Sequence, residues 1–290
     1  MVLLPLVLGI MYIILSILLL ILNGLLIVAL NMDKECKHNN TYRIMSISCF
    51  SYFLQSITFL AGGIMTIAQS TFSSVLDRVL GAIVASGWYL SIATSFTLAV
   101  DRLLMFAFPQ SSYSSIIRRA VMALCWLIWL VTLVAMCLLP GLGYTYNRDG
   151  VYYIWALTHG SASAVVEHVE PFCDMTIFLI IFVMYTIVCG CLIKLKRSSS
   201  DQCRSFKAEL RIFAAAVISF FYETIFVSLC FWMPPNLLGF EFTYIFLSLA
   251  WMVECGMFAS LTLTMNTTLR RKVQRKLGLN RQSAVFIIGL

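Results

Sequence analysis

Two adjacent residues of opposite charge, Asp101 and Arg102, interrupt the apolar stretch SFTLAVDRLLMFAFP, Ser95 to Pro109. An arginine beside a carboxylate in such a setting can do one of two things. It can anchor a helix end at a lipid–water boundary, as Lys and Arg often do. It can also form a two-state element whose guanidinium is freed when the acid is protonated or a nearby helix moves. Two further acids, Glu223 and Glu254, stand alone near the middle of long apolar runs. A charge at the centre of a bilayer costs at least about 2.5 kcal/mol on insertion scales. Such acids are therefore functional, or they are carried as protonated groups that hydrogen-bond across helices. The histidines offer less. His38, His159 and His168 all lie between apolar runs. His159 and His168 share a connection with Glu167 and Cys173, but the spacing fits no standard zinc pattern. There is no nucleotide-binding glycine loop and no Ser–His pair at membrane depth, so no enzyme chemistry, cofactor or metal is expected.

The elements that must position these residues follow from composition. Of 290 residues 61% are hydrophobic and 11% charged, against roughly 25% charged in soluble domains. That leaves too little polar surface to cover a globule in water. Seven stretches lack Lys and Arg and are long enough to cross a bilayer, which takes about 20 residues. They are Met1–Leu30, Ile44–Gln69, Val79–Val100, Ala120–Gly141, Phe172–Ile193, Ile212–Trp232 and Phe242–Leu269. In hydrocarbon each backbone polar group must be paired within its segment, which selects helices. The alternating segments of about ten residues that mark barrel strands are absent. The fold class is all-α, a seven-transmembrane helix bundle. Alternate connections then collect 18 of the 20 Lys and Arg on one side, leaving only Arg78 and Arg148 on the other. By the positive-inside rule the N-terminus is outside and the basic tail cytosolic. The net charge of +7 then faces anionic inner-leaflet lipid and calls for no nucleic acid. Met1–Leu30 lacks the basic start of a signal peptide and is about twice as long as its apolar core, so it reads as a first transmembrane helix with almost no exposed tail before it.

The connections carry their own signals. The longest on the outer side, Leu142–Pro171, holds Tyr144, Tyr146, Tyr152, Tyr153 and Trp155. It either lies over a pocket or sits at the interface as an aromatic belt. The longest inner connection, Lys194–Arg211, is basic and Ser-rich, suited to lipid head groups, phosphate or a docked partner. In RRKVQRKLGL, Leu269, Val273 and Leu277 recur every four residues among basic ones, as in a short amphipathic helix on the inner leaflet. Residues 1–277 thus form one seven-transmembrane domain ending in a surface helix, and 278–290 a short tail. Two sequons, at Asn39 and Asn266, fall on the cytosolic side and should carry no sugar. Most of the ten cysteines lie inside helices as small packing residues. Cys137 and Cys173 lie near the outer side, where a bridge could form.

The motifs converge on a family. Pro109 follows Arg102 by seven residues, LNGLLIV contains Asn23, Trp126 sits in the fourth run, Tyr185 in the fifth, and MNTTLRRKV closes the seventh with Asn266. Together these resemble the rhodopsin-like G-protein-coupled receptors, across the whole chain, with Leu103 replacing the family's Tyr. The pattern, with TYRIMSISCF and GWYLSIATSFTLAVDR, also looks like the nematode serpentine chemoreceptors, especially classes t and x. The departures are specific. The family's second-helix Asp aligns with Ser51, its disulfide-forming third-helix Cys with Asp77, and its Asn-Pro-x-x-Tyr with Phe258–Thr262, and its sixth-helix Cys-Trp-x-Pro is missing.

The resemblance implies a chemosensory receptor in the plasma membrane, with a sensory cilium as one location, coupled to a heterotrimeric G protein. Asp101-Arg102 would be the cytosolic switch, released toward Tyr185, with Glu209 as a second brake on Arg102. Glu254 would supply the acid that Ser51 lacks, close to Asn23, in a polar network with Glu223 and Asn266. A small ligand would sit in the outer half of the bundle, lined by Val84, Ala85, Trp88 and Trp251. Amine receptors of the family carry an Asp where Val84 stands, so the expected ligand is apolar or weakly polar. The alternative class is a transporter or channel that relays ions through Glu223 and Glu254, although no Gly/Pro-broken helix pair marks a transport site.

Overall fold

The computed structural model describes residues 3–32, 39–109, 113–198, 203–234, 238–266, 269–271 and 273. Its helices are α1 (Leu3–Met32), α2 (Asn40–Ala68), α3 (Ser74–Phe106), α4 (Ser114–Leu138), α5 (Ser161–Ser198), α6 (Cys203–Trp232) and α7 (Phe240–Met265). All seven are long and apolar enough to cross a membrane. Between α4 and α5 two short strands, β1 (Tyr144–Thr145) and β2 (Ala156–Leu157), pair antiparallel. The helices turn their small and polar side chains inward. Ser51, Gln55, Ser56 and Thr58 of α2 and Ser86, Ser91 and Thr94 of α3 are buried, many with hydroxyls bonded to a carbonyl one turn back. Ile10, Ile14, Ile17, Leu18 and Ile21 of α1 point outward. Apolar side chains outside and satisfied polar ones inside is the arrangement lipid selects.

Helix ends differ from the sequence reading chiefly where a charged residue bounds a run; α4 and α7 instead stop at Leu138 and Met265, short of Gly141 and Leu269. The apolar runs find each helix, but the helices continue past the first charged residue. The fifth begins at Ser161, roughly three turns before Phe172, and runs through Pro171. Proline interrupts one backbone bond without ending the helix. The expected outer connection Leu142–Pro171 is therefore shorter, and Glu167 and Glu170 belong to α5. Likewise the inner connection Lys194–Arg211 is mostly absorbed into the ends of α5 and α6. After α7, Asn266 marks a break. Its Oδ1 accepts from the Leu269 amide at 3.1 Å, and Leu269 and Val273 are buried. Leu277 and the tail 278–290 lie outside the described residues, as does His38. Cys137 and Cys173 are free thiols, so no bridge joins them.

Asn39 caps α2 by accepting from the Thr41 amide, and Ser73 caps α3 by accepting from the Val75 amide. Arg78 caps the other end of α4, donating to the carbonyls of Leu139 at 2.6 Å and Met136 at 3.4 Å. The caps and the hairpin define two faces of the bundle. One carries the hairpin, the other Asp101 and Arg102.

Candidate functional site

On the face away from the hairpin, Arg102 is fully buried, at 0% exposure, and Asp101 nearly so at 2%. Arg102 donates to Asp101 Oδ2 at 2.6 Å, to Glu209 Oε2 of α6 at 2.5 Å, and to the Thr41 hydroxyl of α2. Thr41 in turn donates to Asp101 at 2.7 Å. The second Asp101 oxygen lies 2.9 Å from Nε of Arg118 on α4. One guanidinium and one carboxylate thus join α2, α3, α4 and α6. A buried charge must be compensated on several sides, and this cluster does so. The structure brings together Asp101, Arg102 and Glu209. Tyr185 is not among the Arg102 partners; it packs edge-on against Phe213 and Phe220 of α6, with ring centroids 5.5 and 5.6 Å away. Thr41 and Arg118 escaped the sequence reading, Thr41 because it looked like part of a sequon and Arg118 because it was counted only as an inner-side charge.

In the middle of the bundle the expected network is rearranged. Asn23 donates to the carbonyl of Cys255 at 2.9 Å, so α1 does meet α7 at that level. The Glu254 side chain does not take part. Successive helical residues point about 100° apart. Cys255 faces Asn23 and Gln55, whereas Glu254 lies close enough to Glu223 of α6 to interact electrostatically. Neither Glu254 oxygen has a hydrogen-bond partner among the described residues. The Ser51 hydroxyl donates back to the Ser48 carbonyl, and the Ser51 carbonyl accepts from the Gln55 side-chain amide. Asn266 lies about 18 Å along α7 from Glu254 and caps the next turn, so it is no member of this network. The polar centre that does form is Gln55, one turn beyond Ser51 and fully buried. Its Oε1 accepts from the Trp251 indole at 2.7 Å. Glu223 Oε2 accepts from Ser95 of α3 at 2.9 Å, making a second α3–α6 link above the one at Arg102.

Beneath the hairpin lies a cavity of about 360 Å³. Trp88 of α3 packs edge-to-face against Phe226 of α6 at 5.9 Å and Trp251 of α7 at 5.6 Å, Phe226 and Trp251 meet tilted at 6.1 Å, and the three form its floor. Tyr144, Trp155 and Leu157 of the hairpin region form its roof. Two expected lining residues are elsewhere. Val84 is buried in the main core and Ala85 packs against Met136 of α4; both lie one turn from Trp88 on α3, where the helix is covered by protein and does not face the cavity. The aromatic connection is inserted into the bundle. Tyr146 stacks on Trp155 at 5.0 Å and its hydroxyl meets Thr66 at 2.7 Å. Burial pushes that phenol well above its ordinary range, so it remains protonated. Asp77 fixes the hairpin where the resembling family uses a cysteine. Its oxygens accept from the Thr145 hydroxyl at 2.5 Å and the Tyr146 amide at 3.0 Å.

The cavity wall on α5 is acidic, and the sequence reading missed it by ending the connection at Pro171. Glu167 and Glu170 line the space, and Asp174 follows one turn deeper. Their spacing of three and four residues puts all three on one helical face, a signal the sequence did contain. His159 bonds Asp149 at 2.6 Å and His168 bonds the Ala164 carbonyl; the two are engaged separately.

A seven-helix bundle with a hairpin-roofed cavity at one end and a buried arginine cluster at the other is the rhodopsin-like architecture. Squid rhodopsin superposes with a TM-score of 0.74 at 14% sequence identity, covering 95% of this chain and 85% of that one. No curated protein matches the sequence. A family model, "Serpentine type 7TM GPCR chemoreceptor Srt", matches residues 5–285. The chain belongs to this family of serpentine G-protein-coupled chemoreceptors, which are multi-pass membrane receptors and not enzymes.

Proposed function

We propose that the protein is a chemosensory receptor of the plasma membrane that binds a small molecule in the hairpin-roofed cavity and activates a heterotrimeric G protein from the opposite, cytosolic face. The observation that carries this reading is the Arg102 cluster. A buried guanidinium shared between an acid on its own helix and Glu209 on α6 has two arrangements available. It is bound across to α6, or it is released when α6 moves. The cavity shares the same helices. Phe226 lines it, Glu223 ties α6 to α3 one turn below, and Glu209 ties them again about 21 Å further along. A ligand that displaces the upper part of α6 therefore acts on a lever whose far end is Glu209. Release would let Arg102 turn toward Tyr185 and open the surface for a G protein. The basic residues around that face would hold anionic inner-leaflet lipid.

The test is expression at the surface of a reporter cell challenged with a panel of volatile and lipid-like odorants. Ligand-dependent G-protein activation is expected, and Arg102→Ala should remove it at equal surface level. A transporter or channel using Glu223 and Glu254 predicts a ligand-independent current in the same cells with no G-protein signal, and that result would overturn the receptor reading.

A further inference from the structure

The cavity has more anionic than cationic groups on its wall. Glu170 is 6% exposed and its Oε1 accepts from Tyr89 at 2.8 Å. The Tyr144 hydroxyl lies within reach of the same carboxylate. Both partners are neutral donors, so neither offsets its charge. Asp174, 2% exposed, has one oxygen without any hydrogen-bond partner among the described residues, while the Trp88 indole N–H faces its carboxylate. Asp174 lies within electrostatic reach of both Glu170 above it and Glu223 below it. Among the described residues the one cation on the wall, Arg148, is already engaged, at 3.4 Å from Glu167 and 3.5 Å from Asp149. Buried carboxylates are carried protonated or beside a compensating charge, and among the described residues no cation pairs with Glu170 or Asp174, so a cationic ligand can supply that charge.

Resting on the reading that this cavity is the ligand site, we propose that it selects an organic ammonium ion with an apolar body. The ammonium sits against Glu170, with Asp174 beneath, and the body lies on Trp88, Phe226 and Trp251. Three features favour this class. Glu167 and Glu170 sit on α5 at the wall, where a ligand head group reaches them from a 360 Å³ space, and Asp174 lies one turn beneath. Aromatic faces attract cations within about 6 Å of the ring centre. A cavity this size falls within the range of small-ligand sites. The missing acid at Val84 therefore does not exclude an amine, because the counter-charge has moved to another helix.

The experiment uses the full chain in lipid nanodiscs and follows tryptophan fluorescence, with empty discs as control. The probes are matched pairs of ammonium and alcohol: benzylamine with benzyl alcohol, 2-phenylethylamine with 2-phenylethanol, and cyclohexylmethylamine with cyclohexylmethanol. Near neutral pH the amines are protonated. A charge-assisted hydrogen bond predicts that at least one ammonium binds saturably, at least about tenfold more tightly than its alcohol. Glu170→Gln keeps an acceptor for Tyr89, and it should reduce that preference about tenfold. If Glu170→Gln fails to fold, Asp174→Asn should reduce the same preference. Saturable alcohol binding that Trp251→Ala removes, with no ammonium preference, overturns the charge assignment and leaves the cavity reading intact. An ammonium preference unchanged in the folded acid variants overturns the assignment to α5. Absence of saturable binding by every probe overturns both readings.

Discussion

Among the described residues Arg102 has three hydrogen-bond partners, and they are not equivalent. Asp101 and Thr41 are buried with the guanidinium, whereas Glu209 is 19% exposed on its side chain. Removing Glu209 therefore leaves Arg102 compensated and breaks only the tie to α6. A charge-assisted hydrogen bond contributes about 1.5–3 kcal/mol, and access of water to Glu209 favours the lower end, close to a tenfold change in a two-state ratio. Glu209→Gln should accordingly raise ligand-independent signalling about tenfold at normal surface expression, measured by basal G-protein activation. Asp101→Asn should behave differently, because it removes the buried carboxylate that Arg102 and Arg118 share, leaving Arg102 with Glu209 as its one acid among the described residues. Loss of surface protein is the expected outcome there. Glu254 makes a sharper case. It has no hydrogen-bond partner among the described residues and lies beside Glu223. Glu254→Gln keeps shape and removes the acid, and it should shift basal signalling. A properly surfaced Glu254→Gln receptor with unaltered basal activity would show that the pair has no part in the balance.

At the scale of elements, the hairpin depends on α3. Asp77 holds Thr145 and the Tyr146 amide, and the backbone at Tyr144 runs against Gly81, where an added Cβ would come within 2.0 Å of the Tyr144 oxygen. Asp77→Ala should loosen the roof by about 2 kcal/mol, seen as a roughly 30-fold faster exchange of the Tyr146 amide. Asp77→Asn, which keeps an oxygen for that amide, should retain much of the protection. Gly81→Ala should displace the hairpin and reduce binding in the cavity without touching Arg102. None of this was legible beforehand. The helix count was, since apolar run length and the spacing of Lys and Arg report lipid contact directly. Helix ends were not, because a charged residue ends an apolar run without ending a helix, as Glu167 and Glu170 show. The Asp101–Arg102–Glu209 group could be approached through motif spacing. Gln55, Thr41 and Asp77 could not, since which polar residue meets which depends on helix rotation that no single segment encodes.

For the whole molecule the decisive property is sidedness. The fold gives two faces, and by the positive-inside rule the sequence predicts which one is cytosolic: 18 of 20 Lys and Arg belong to the stretches expected on the side of Arg102 or to the tail. The two exceptions have structural employment on the hairpin face, Arg78 as the α4 cap and Arg148 in the ion pair with Glu167. They therefore do not weaken the bias, and the hairpin is expected outside the cell. The hairpin offers a place to test this. At its tip Arg148 and Val151 pair around Asp149-Gly150, both with positive φ, a tight turn of the type that Asp-Gly favours. Gly150 is exposed, and nothing lies near its Cβ position, so an epitope inserted after it should be tolerated. Antibody should stain that epitope on intact cells, while an epitope fused after Leu290 should require permeabilised membranes. The reverse pattern would put the ammonium-selective cavity inside the cell and the arginine cluster outside, where no G protein could reach it. Staining of both tags on intact cells would mean an even number of crossings, incompatible with a seven-helix bundle. Either result removes the basis for reading α6 as a lever between an outer ligand and an inner partner.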